Sequence, residues 1–200
     1  EKIQNEHAQS IYSNFVQLGL RGINNSMPRQ FRRVVTGHNS EGKSIIWKDG
    51  APPQSLEPLP ELVLHEIWET VAPASNTGDK DNAIRENRIE PHHSAGTMFR
   101  IVEFPPDEIW MAGDVGEGFK EMGSGDAHDG GSDTAMMHET QTTDYAIVIE
   151  GEIWAVMESD ETKLLAGDVL VQRGTNHAWS NRTDQLAVVA FVLFGAEPRQ

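Results

Sequence analysis

The last third of this chain consists mainly of short segments with strand character, and this feature limits its possible folds more than any other. The segments are rich in Val, Ile, Leu and aromatic residues and cover positions 144–150, 152–157, 162–165, 168–172 and 186–194. Turn-forming residues separate them at Gly151, Ser159-Asp160 and Gly167-Asp168. Many short strands with frequent turns are typical of a sandwich or a closed barrel, so the sequence predicts an all-β domain.

Further strands are predicted in the preceding hundred residues, at 31–36, 43–48, 62–70 and 97–104. Two segments lack strand or helix periodicity. Residues 72–88 are polar and charged, and residues 113–133 contain seven glycines and several acids. We interpret both as long loops, and we expect the second to be solvated, with a flexible lid as the alternative.

The first twenty residues have the periodicity of a helix. Ala8, Ile11, Phe15 and Leu18 recur at spacings of three and four residues and form one apolar stripe. We therefore divide the chain into an N-terminal helical arm, 1–28, and a β-domain, 29–200. The apolar stripe needs a surface to cover it, which favours a homodimer.

The charge balance excludes several kinds of partner. Lys and Arg total 16 and Asp and Glu total 31, so the formal net charge is −15. Such a surface repels nucleic-acid phosphates and anionic membranes. Cysteine is absent, which rules out disulfides, thiolate zinc sites and thiol nucleophiles. Because no early apolar run resembles an export signal, we expect a cytoplasmic protein with a small-molecule partner.

The segment that leads into the strand at 144–150 carries polar residues with a period of two. His138, Thr140, Thr142 and Asp144 share one face if the extended conformation begins early. Ala146 and Val148 continue that face, and Tyr145, Ile147 and Ile149 form the other. A strand that is apolar on both faces is buried, so we expect Asp144 to point into the protein. A buried carboxylate needs a cation, a metal or strong hydrogen-bond donors.

A second polar group follows the strand at 168–172. The chain turns at Gly174, and a new strand begins near His177, so that His177, Trp179 and Asn181 share one face. Arg173, at the turn, is either an anion anchor at the mouth of a barrel or a plain turn residue.

These two segments resemble the paired motifs of the cupin superfamily. The first motif, at 138–151, reads here as His138-x-Thr140, three residues, Asp144, six residues and Gly151. The second, at 167–181, reads as Gly167, four residues, Gln172-Arg173-Gly174, two residues, His177, three residues and Asn181. The resemblance implies a jelly-roll-like antiparallel β-barrel, to which the N-terminal helix is added. The run at 172–179 also resembles a cupin subgroup found among small-molecule tailoring enzymes of secondary metabolism.

The resemblance implies a metal site, with departures from the usual ligand set. A typical cupin of this pattern holds a divalent metal with three His and one Glu. Here Thr140 replaces the second His and Asp144 replaces the Glu, so His138, Asp144 and His177 are the candidate ligands. Two imidazoles and one carboxylate suit iron, manganese, zinc or nickel. A metal-free pocket, in which these groups hydrogen-bond substrate or each other, remains the alternative.

Three functions fit this site. The leading hypothesis is a lyase- or isomerase-type enzyme that decarboxylates, dehydrates, cyclises or isomerises a polyketide-like or keto-acid molecule. The others are a non-haem iron oxygenase and a non-catalytic binding module. In the two enzymatic hypotheses Asp144, His138 and His177 form the reactive group. Substrate contacts are predicted at Trp179, Thr140, Arg173, Asn181 and Val148.

Four other histidines are weaker candidates. His65 lies on an apolar strand face and is predicted to be a hydrogen-bonded core residue. His92 and His93 are expected in a surface loop, although one of two neighbours in a strand would point inward. His128, among Gly and Asp residues, is expected to be solvated.

Overall fold

The computed structural model describes residues 31–71, 73–76, 78, 80–92, 94–124 and 134–197. The strands in this part of the chain are β1 Arg33–His38, β2 Ser44–Gly50, β3 Gln54–Leu59, β4 Leu62–Thr70, β5 Thr97–Phe104, β6 Thr142–Glu150, β7 Glu152–Met157, β8 Glu161–Leu165, β9 Val169–Arg173, β10 His177–Ser180 and β11 Ala187–Gly195. Two short helices, α1 Asp107–Trp110 and α2 Val115–Glu121, lie between β5 and β6. The predicted N-terminal helix lies outside the described residues.

The strands form three antiparallel sheets. The largest has the order β3-β4-β5-β11-β6-β9, the second β10-β7-β8, and the third is the β1-β2 hairpin. The central strand β11 is apolar along most of its length and pairs with β5 on one side and β6 on the other. The long-range pairing of antiparallel strands agrees with the predicted all-β, jelly-roll-like fold.

The core lies between the six-stranded and the three-stranded sheets. Trp179 of β10 packs edge-on against Phe191 of β11, with 5.2 Å between ring centroids. Ile153 of β7 and Met98 of β5 are fully buried in the same apolar cluster. The two sheets therefore face each other, and an isolated bridge between His138 and His177 connects the segment before β6 with β10.

Gly151 makes the tight turn between the two sheets possible. Its φ is +75°, and a Cβ atom there would lie 2.5 Å from the carbonyl oxygen of Leu186. Any other residue would be strained and would clash with this backbone. The glycine that ends the first motif is therefore required by the passage of the chain from β6 to β7.

The prediction of a solvated loop at 113–133 is wrong for the first part of that segment. Helix α2 begins after Asp114, whose carboxylate accepts a hydrogen bond from the backbone N–H of Glu117 at 3.1 Å. Phe119, within the helix, is fully buried. Residues 125–133 lie outside the described residues.

Residues 72–88 contain no helix or strand in their described part, as predicted. The side chains of Arg85 and Arg88 are nevertheless mostly buried and pair with carboxylates of β4. Arg85 pairs with Glu66 at 2.5 Å, and its side chain is only 5% exposed. Arg88 pairs with Glu69 at 2.5 Å. The loop thus contributes to a buried ion-pair network beside β4. None of the helices in the described residues is long and apolar enough to cross a membrane.

Candidate functional site

The fold brings the two polar segments into contact. His138 and His177 exchange backbone hydrogen bonds in both directions, each at 2.9 Å. This two-residue bridge places their rings side by side, with centroids 4.3 Å apart and planes inclined by 45°. Both residues are buried. The predicted pairing of the two motifs at one site is therefore present in the geometry.

Each imidazole is fixed by a backbone carbonyl two residues earlier. His138 Nδ1 lies 2.7 Å from the Met136 oxygen, and His177 Nδ1 lies 2.9 Å from the Thr175 oxygen. Because a carbonyl oxygen can only accept, each of these contacts is a hydrogen bond donated by the Nδ1–H group of the ring. Gln172, where the cupin motif has proline, donates to the same Thr175 oxygen at 2.8 Å and so helps to fix it.

The backbone at Met136 is held in an unusual conformation. Its φ is +66°, in the left-handed region that residues other than glycine rarely adopt. This conformation belongs to the residue whose carbonyl orients His138. Strained backbone next to functional groups is often retained because it positions them.

Asp144 lies at the start of β6 and points inward. It is buried, as are Ala146 and Val148 on the same strand face. The other face is not buried, since Tyr145 is 44% and Ile149 41% exposed. The predicted inward direction of Asp144 is therefore present, but the premise that both faces of the strand are buried is wrong.

The carboxylate of Asp144 is only partly satisfied. Burial raises its pKa to about 6, and this shift is opposed by a hydrogen bond from Thr142 and by the charge of Arg100. The Thr142 hydroxyl is also 2.8 Å from the Thr140 hydroxyl. Asp144 Oδ1 has no hydrogen-bond partner among the described residues. One oxygen of a buried carboxyl group is thus available to a ligand.

The pKa of His177 is shifted in the opposite direction to that of Asp144. Burial, together with the neighbouring His138, lowers the pKa of His177 to about 3, and hydrogen bonds to the backbone oppose this shift. The ring is therefore neutral at physiological pH. It presents the Nε2 lone pair and not an imidazolium charge.

A mainly apolar cavity of about 80 Å³ joins these groups. His138, His177, Asp144, Thr140 and Arg100 form its polar part. Its apolar walls include Leu62, Phe104, Phe119, Trp179, Phe191 and Leu193. A mainly apolar cavity with a few converging polar groups has the composition of a small-molecule site.

Arg100 is the cavity residue that the sequence reasoning missed. It lies on β5 between Met98 and Val102, and all three side chains are buried on the same strand face. Its Nη2 donates to Glu66 at 2.9 Å and to the Arg88 carbonyl at 2.7 Å. A cation at an inward position of an apolar strand is the signal that could have identified it.

The predicted metal triad is not assembled as a single ligand group. Within the described residues, no three His, Cys, Asp or Glu side chains lie close enough together to hold a metal ion. Imidazole and carboxylate are suitable ligand types, but Asp144 does not lie close enough to the two rings to complete a three-ligand group. The described residues therefore do not fit the three-ligand set, and the chemistry below is derived from the side chains themselves.

The predicted substrate contacts fall into two groups. Trp179 and Thr140 line the cavity, and the Trp179 indole stands at 90° to the His177 ring with 6.1 Å between centroids. Val148 is buried in the core cluster and is absent from the cavity wall. Arg173 is exposed at the end of β9 and does not line the cavity, so its role as an anion anchor at the mouth of the barrel stays a prediction.

Asn181 has a structural role instead of the predicted substrate contact. Its side-chain amide donates to the carbonyl of Phe104 at 2.8 Å and to that of Gln185 at 2.7 Å. Both donors of the buried amide are thereby used to connect the end of β10 with β5 and with the turn before β11.

The remaining histidines match their weaker predictions where they are described. His65 is buried, with Nδ1 2.8 Å from the Ser55 hydroxyl and Nε2 2.6 Å from the Glu103 carboxylate. It is a hydrogen-bonded core histidine, as predicted. His92 is exposed. His93 and His128 lie outside the described residues.

Comparison with known proteins identifies relatives with cupin domains. The chain is 30% identical over 159 residues to the cupin-domain-containing oxidoreductase virC of Hypocrea virens, covering 78% of this chain and 69% of that protein. It is 44% identical over 171 residues to the phomopsin biosynthesis cluster protein D of Diaporthe leptostromiformis, covering 83% and 79%. No family model matches the chain.

Among solved structures, the cupin domain of Schizosaccharomyces pombe Cnp3 matches with a TM-score of 0.43 and 7% identity, covering 84% of this chain and 89% of that one. The sequence relatives agree with the motif pair at 138–151 and 167–181 and with the antiparallel jelly-roll-like sheets. This chain belongs to the cupin superfamily.

Proposed function

We propose that this protein is an enzyme of secondary metabolism that transfers protons on a small oxygenated organic molecule bound between Asp144 and the His138–His177 pair. The observation that carries this proposal is the unpartnered Oδ1 of Asp144 in a largely apolar cavity. Two relatives support the metabolic setting, since their names place them in the phomopsin and oryzine biosynthesis clusters.

Asp144 is the proton-transferring group. A general acid or base works best when its pKa lies near the working pH, and the Asp144 pKa of about 6 meets this condition. Above that pH the free oxygen can remove a proton from a carbon next to a carbonyl group. The carboxyl group can then return the proton to a different atom of the substrate.

The two histidines hold and orient the substrate. His177, with its low pKa, does not supply a proton as an imidazolium ion at neutral pH. Its Nε2 lone pair can accept a hydrogen bond from the bound molecule, and His138 positions His177 through the backbone bridge. Isomerisation and dehydration are the reactions that this arrangement performs most directly, because both need one movable proton and one held oxygen.

A direct test uses small aromatic β-hydroxyketones, for example 3-hydroxy-1-phenylpropan-1-one. Asp144 takes a proton from the carbon beside the carbonyl and returns it to the β-hydroxyl, which leaves as water, and the resulting enone absorbs in the ultraviolet. We expect Asp144→Asn to lower kcat by about 100-fold or more, because positioned general bases contribute at least that factor. In the unchanged protein the rate should rise with pH through about 6 as Asp144 ionises.

Asp184→Asn is the matched control, since it makes the same substitution at an exposed carboxylate that does not line the cavity. Its kcat should equal that of the unchanged protein. Equal rates in Asp144→Asn and the unchanged protein across a panel of β-hydroxyketones and β-keto acids would contradict the proposal.

The second candidate function is a redox reaction. The names of virC and of srdD from Neurospora crassa, both cupin-domain-containing oxidoreductases, favour it for this chain. Such chemistry would need iron, which is one of the metals implied by the resemblance of the motif pair. The test is elemental analysis of purified protein, followed by anaerobic addition of Fe(II) and measurement of oxygen uptake. Stoichiometric iron that is lost in both His138→Ala and His177→Ala supports this candidate; protein that retains no iron counts against it.

A further inference from the structure

Two buried polar atoms of opposite character in the cavity have no hydrogen-bond partner in the described part of the chain. One is the donor Arg100 Nε and the other is the acceptor Asp144 Oδ1. Both residues line the cavity and are at least nine-tenths buried, with exposures of 3% and 5%. Buried polar groups are normally paired, because leaving one unpaired is costly. Since neither atom pairs with the other, both are available to a bound molecule.

The surroundings of Arg100 indicate what kind of acceptor it needs. Its guanidinium already pairs with the buried Glu66 carboxylate at 2.9 Å and donates to the Arg88 carbonyl. Its charge is therefore largely compensated, and its position is fixed before any ligand binds. A second carboxylate next to Arg100 would also be repelled by Asp144. A neutral carbonyl oxygen satisfies Nε–H without adding charge.

The surroundings of Asp144 indicate the complementary group. The ionised carboxylate can only accept hydrogen bonds, and Thr142 supplies one of them. A hydroxyl group on the ligand would supply the missing donor to Oδ1. The walls between the two residues are apolar and include Phe104, Trp179 and Phe191, which suits an aromatic or aliphatic body.

We propose that Arg100 determines substrate specificity by donating Nε–H to a carbonyl oxygen, and that the substrate is a neutral hydroxy-carbonyl compound whose hydroxyl group donates to Asp144. This inference rests on the proposed function and specifies its substrate class. The unpartnered Nε atoms of Arg33 and Arg88 are not part of it, because neither residue lines the cavity.

Four small probes separate the two contacts. 3-Hydroxybenzaldehyde carries both groups, benzaldehyde only the carbonyl, phenol only the hydroxyl, and 3-methylphenol replaces the carbonyl with a methyl group. Dissociation constants are measured by isothermal titration calorimetry with the 200-residue chain. A hydrogen bond to a charged donor contributes about 1.5 kcal/mol or more, so 3-hydroxybenzaldehyde should bind about 10-fold more tightly than 3-methylphenol.

Two arginine substitutions test the assignment to one residue. Arg100→Lys keeps a positive charge near Glu66 but removes Nε–H, and it should abolish the preference for the aldehyde while leaving phenol binding unchanged. Arg85→Lys is the matched control. Arg85 also pairs with Glu66 and contacts the Met98 sulfur, as Arg100 does, but it lies outside the cavity wall. It should keep the preference.

Asp144→Asn should weaken the hydroxyl-bearing probes and leave benzaldehyde unchanged. If Arg100→Lys fails to fold, the lack of a preference for 3-hydroxybenzaldehyde over 3-methylphenol in the unchanged protein would still overturn the inference. Binding of all probes without a preference for the aldehyde, or equal losses in Arg100→Lys and Arg85→Lys, would overturn this inference alone. Failure of every probe to bind would overturn the proposed function as well.

Discussion

Asp144 and His177 face the same cavity, and burial shifts their pKa values in opposite directions. The carboxyl pKa rises to about 6 and the imidazole pKa falls to about 3. In both cases burial disfavours the charged form of the side chain. At neutral pH the histidine responds by staying neutral, whereas the carboxyl group is ionised in spite of its burial. Asp144 is therefore the residue whose ionisation lowers the stability of the fold.

This difference leads to a prediction for Asp144→Asn. Because the pKa of Asp144 is higher in the folded state than its usual value of 3.8, the folded protein binds the proton more tightly, and its stability falls as pH rises from about 4 through 6. A pKa shift of this size corresponds to a loss of about 3 kcal/mol in the free energy of unfolding when Asp144 ionises. The neutral amide of Asn avoids the burial of an ionised carboxylate. The variant should therefore have a free energy of unfolding about 2–3 kcal/mol above that of the unchanged protein at pH 8.

The measurement is urea unfolding followed by circular dichroism between pH 4 and pH 8. The advantage of Asp144→Asn should shrink towards zero as pH falls to 4, where the natural carboxyl group is also neutral. Asp184→Asn, at an exposed site, is the control and should show little change at any pH. A variant that is less stable than the unchanged protein at pH 8, by an amount independent of pH, contradicts the prediction.

At the scale of single elements, the strands with strong apolar patterns could be predicted and those shaped by packing could not. β4, β5 and β7 have the predicted limits. β3 was missed because it contains Pro58, which normally argues against a strand; it lies at the edge of its sheet, where proline is tolerated. For β3, the local composition argues against a strand, whereas the position at the edge of the sheet permits one.

Helix α2 was missed because its glycines resemble those of a loop. Gly118 is required by close packing, since a Cβ atom there would lie 2.9 Å from Leu59 Cγ. Glycine is therefore needed at this position because the helix packs closely against β3, and not because the segment is flexible. That contact brings Phe119 to 5.3 Å from the His138 ring, measured between ring centroids. Sequence periodicity alone does not distinguish these two uses of glycine.

At the scale of the whole molecule, the motif residues of the site were predictable and their partners across the cavity were not. His138, Asp144, His177 and Trp179 lie within 42 positions of one another, and strand parity was enough to place them on inward faces. Arg100 reaches the same cavity from β5 through the order of strands in the large sheet. Parity marks it as inward, but only the tertiary pairing shows which cavity it faces.

The predicted homodimer remains a proposal, and the structure suggests a surface through which it could form. β9 is the outer strand of the six-stranded sheet, and its outward residues Val169 and Val171 are 60% and 55% exposed. Tyr145 and Ile149, on the neighbouring β6, are also exposed. Contiguous apolar side chains on a sheet edge mark association sites, and a two-fold axis lets the same strand pair with its own copy. A net charge of −15 opposes association elsewhere on the surface.

We therefore expect the unchanged protein to be a dimer at micromolar concentration and Val169→Lys to shift it towards monomer, because the new ammonium group would be buried at the interface without a partner. Light scattering coupled to size-exclusion chromatography measures the mass of both. Ile46→Lys is the matched control: Ile46 is also 60% exposed, but it lies on the β1–β2 hairpin and its substitution should leave the dimer intact. A monomeric unchanged protein contradicts the proposal, and dissociation by Ile46→Lys but not by Val169→Lys would place the interface on the hairpin instead.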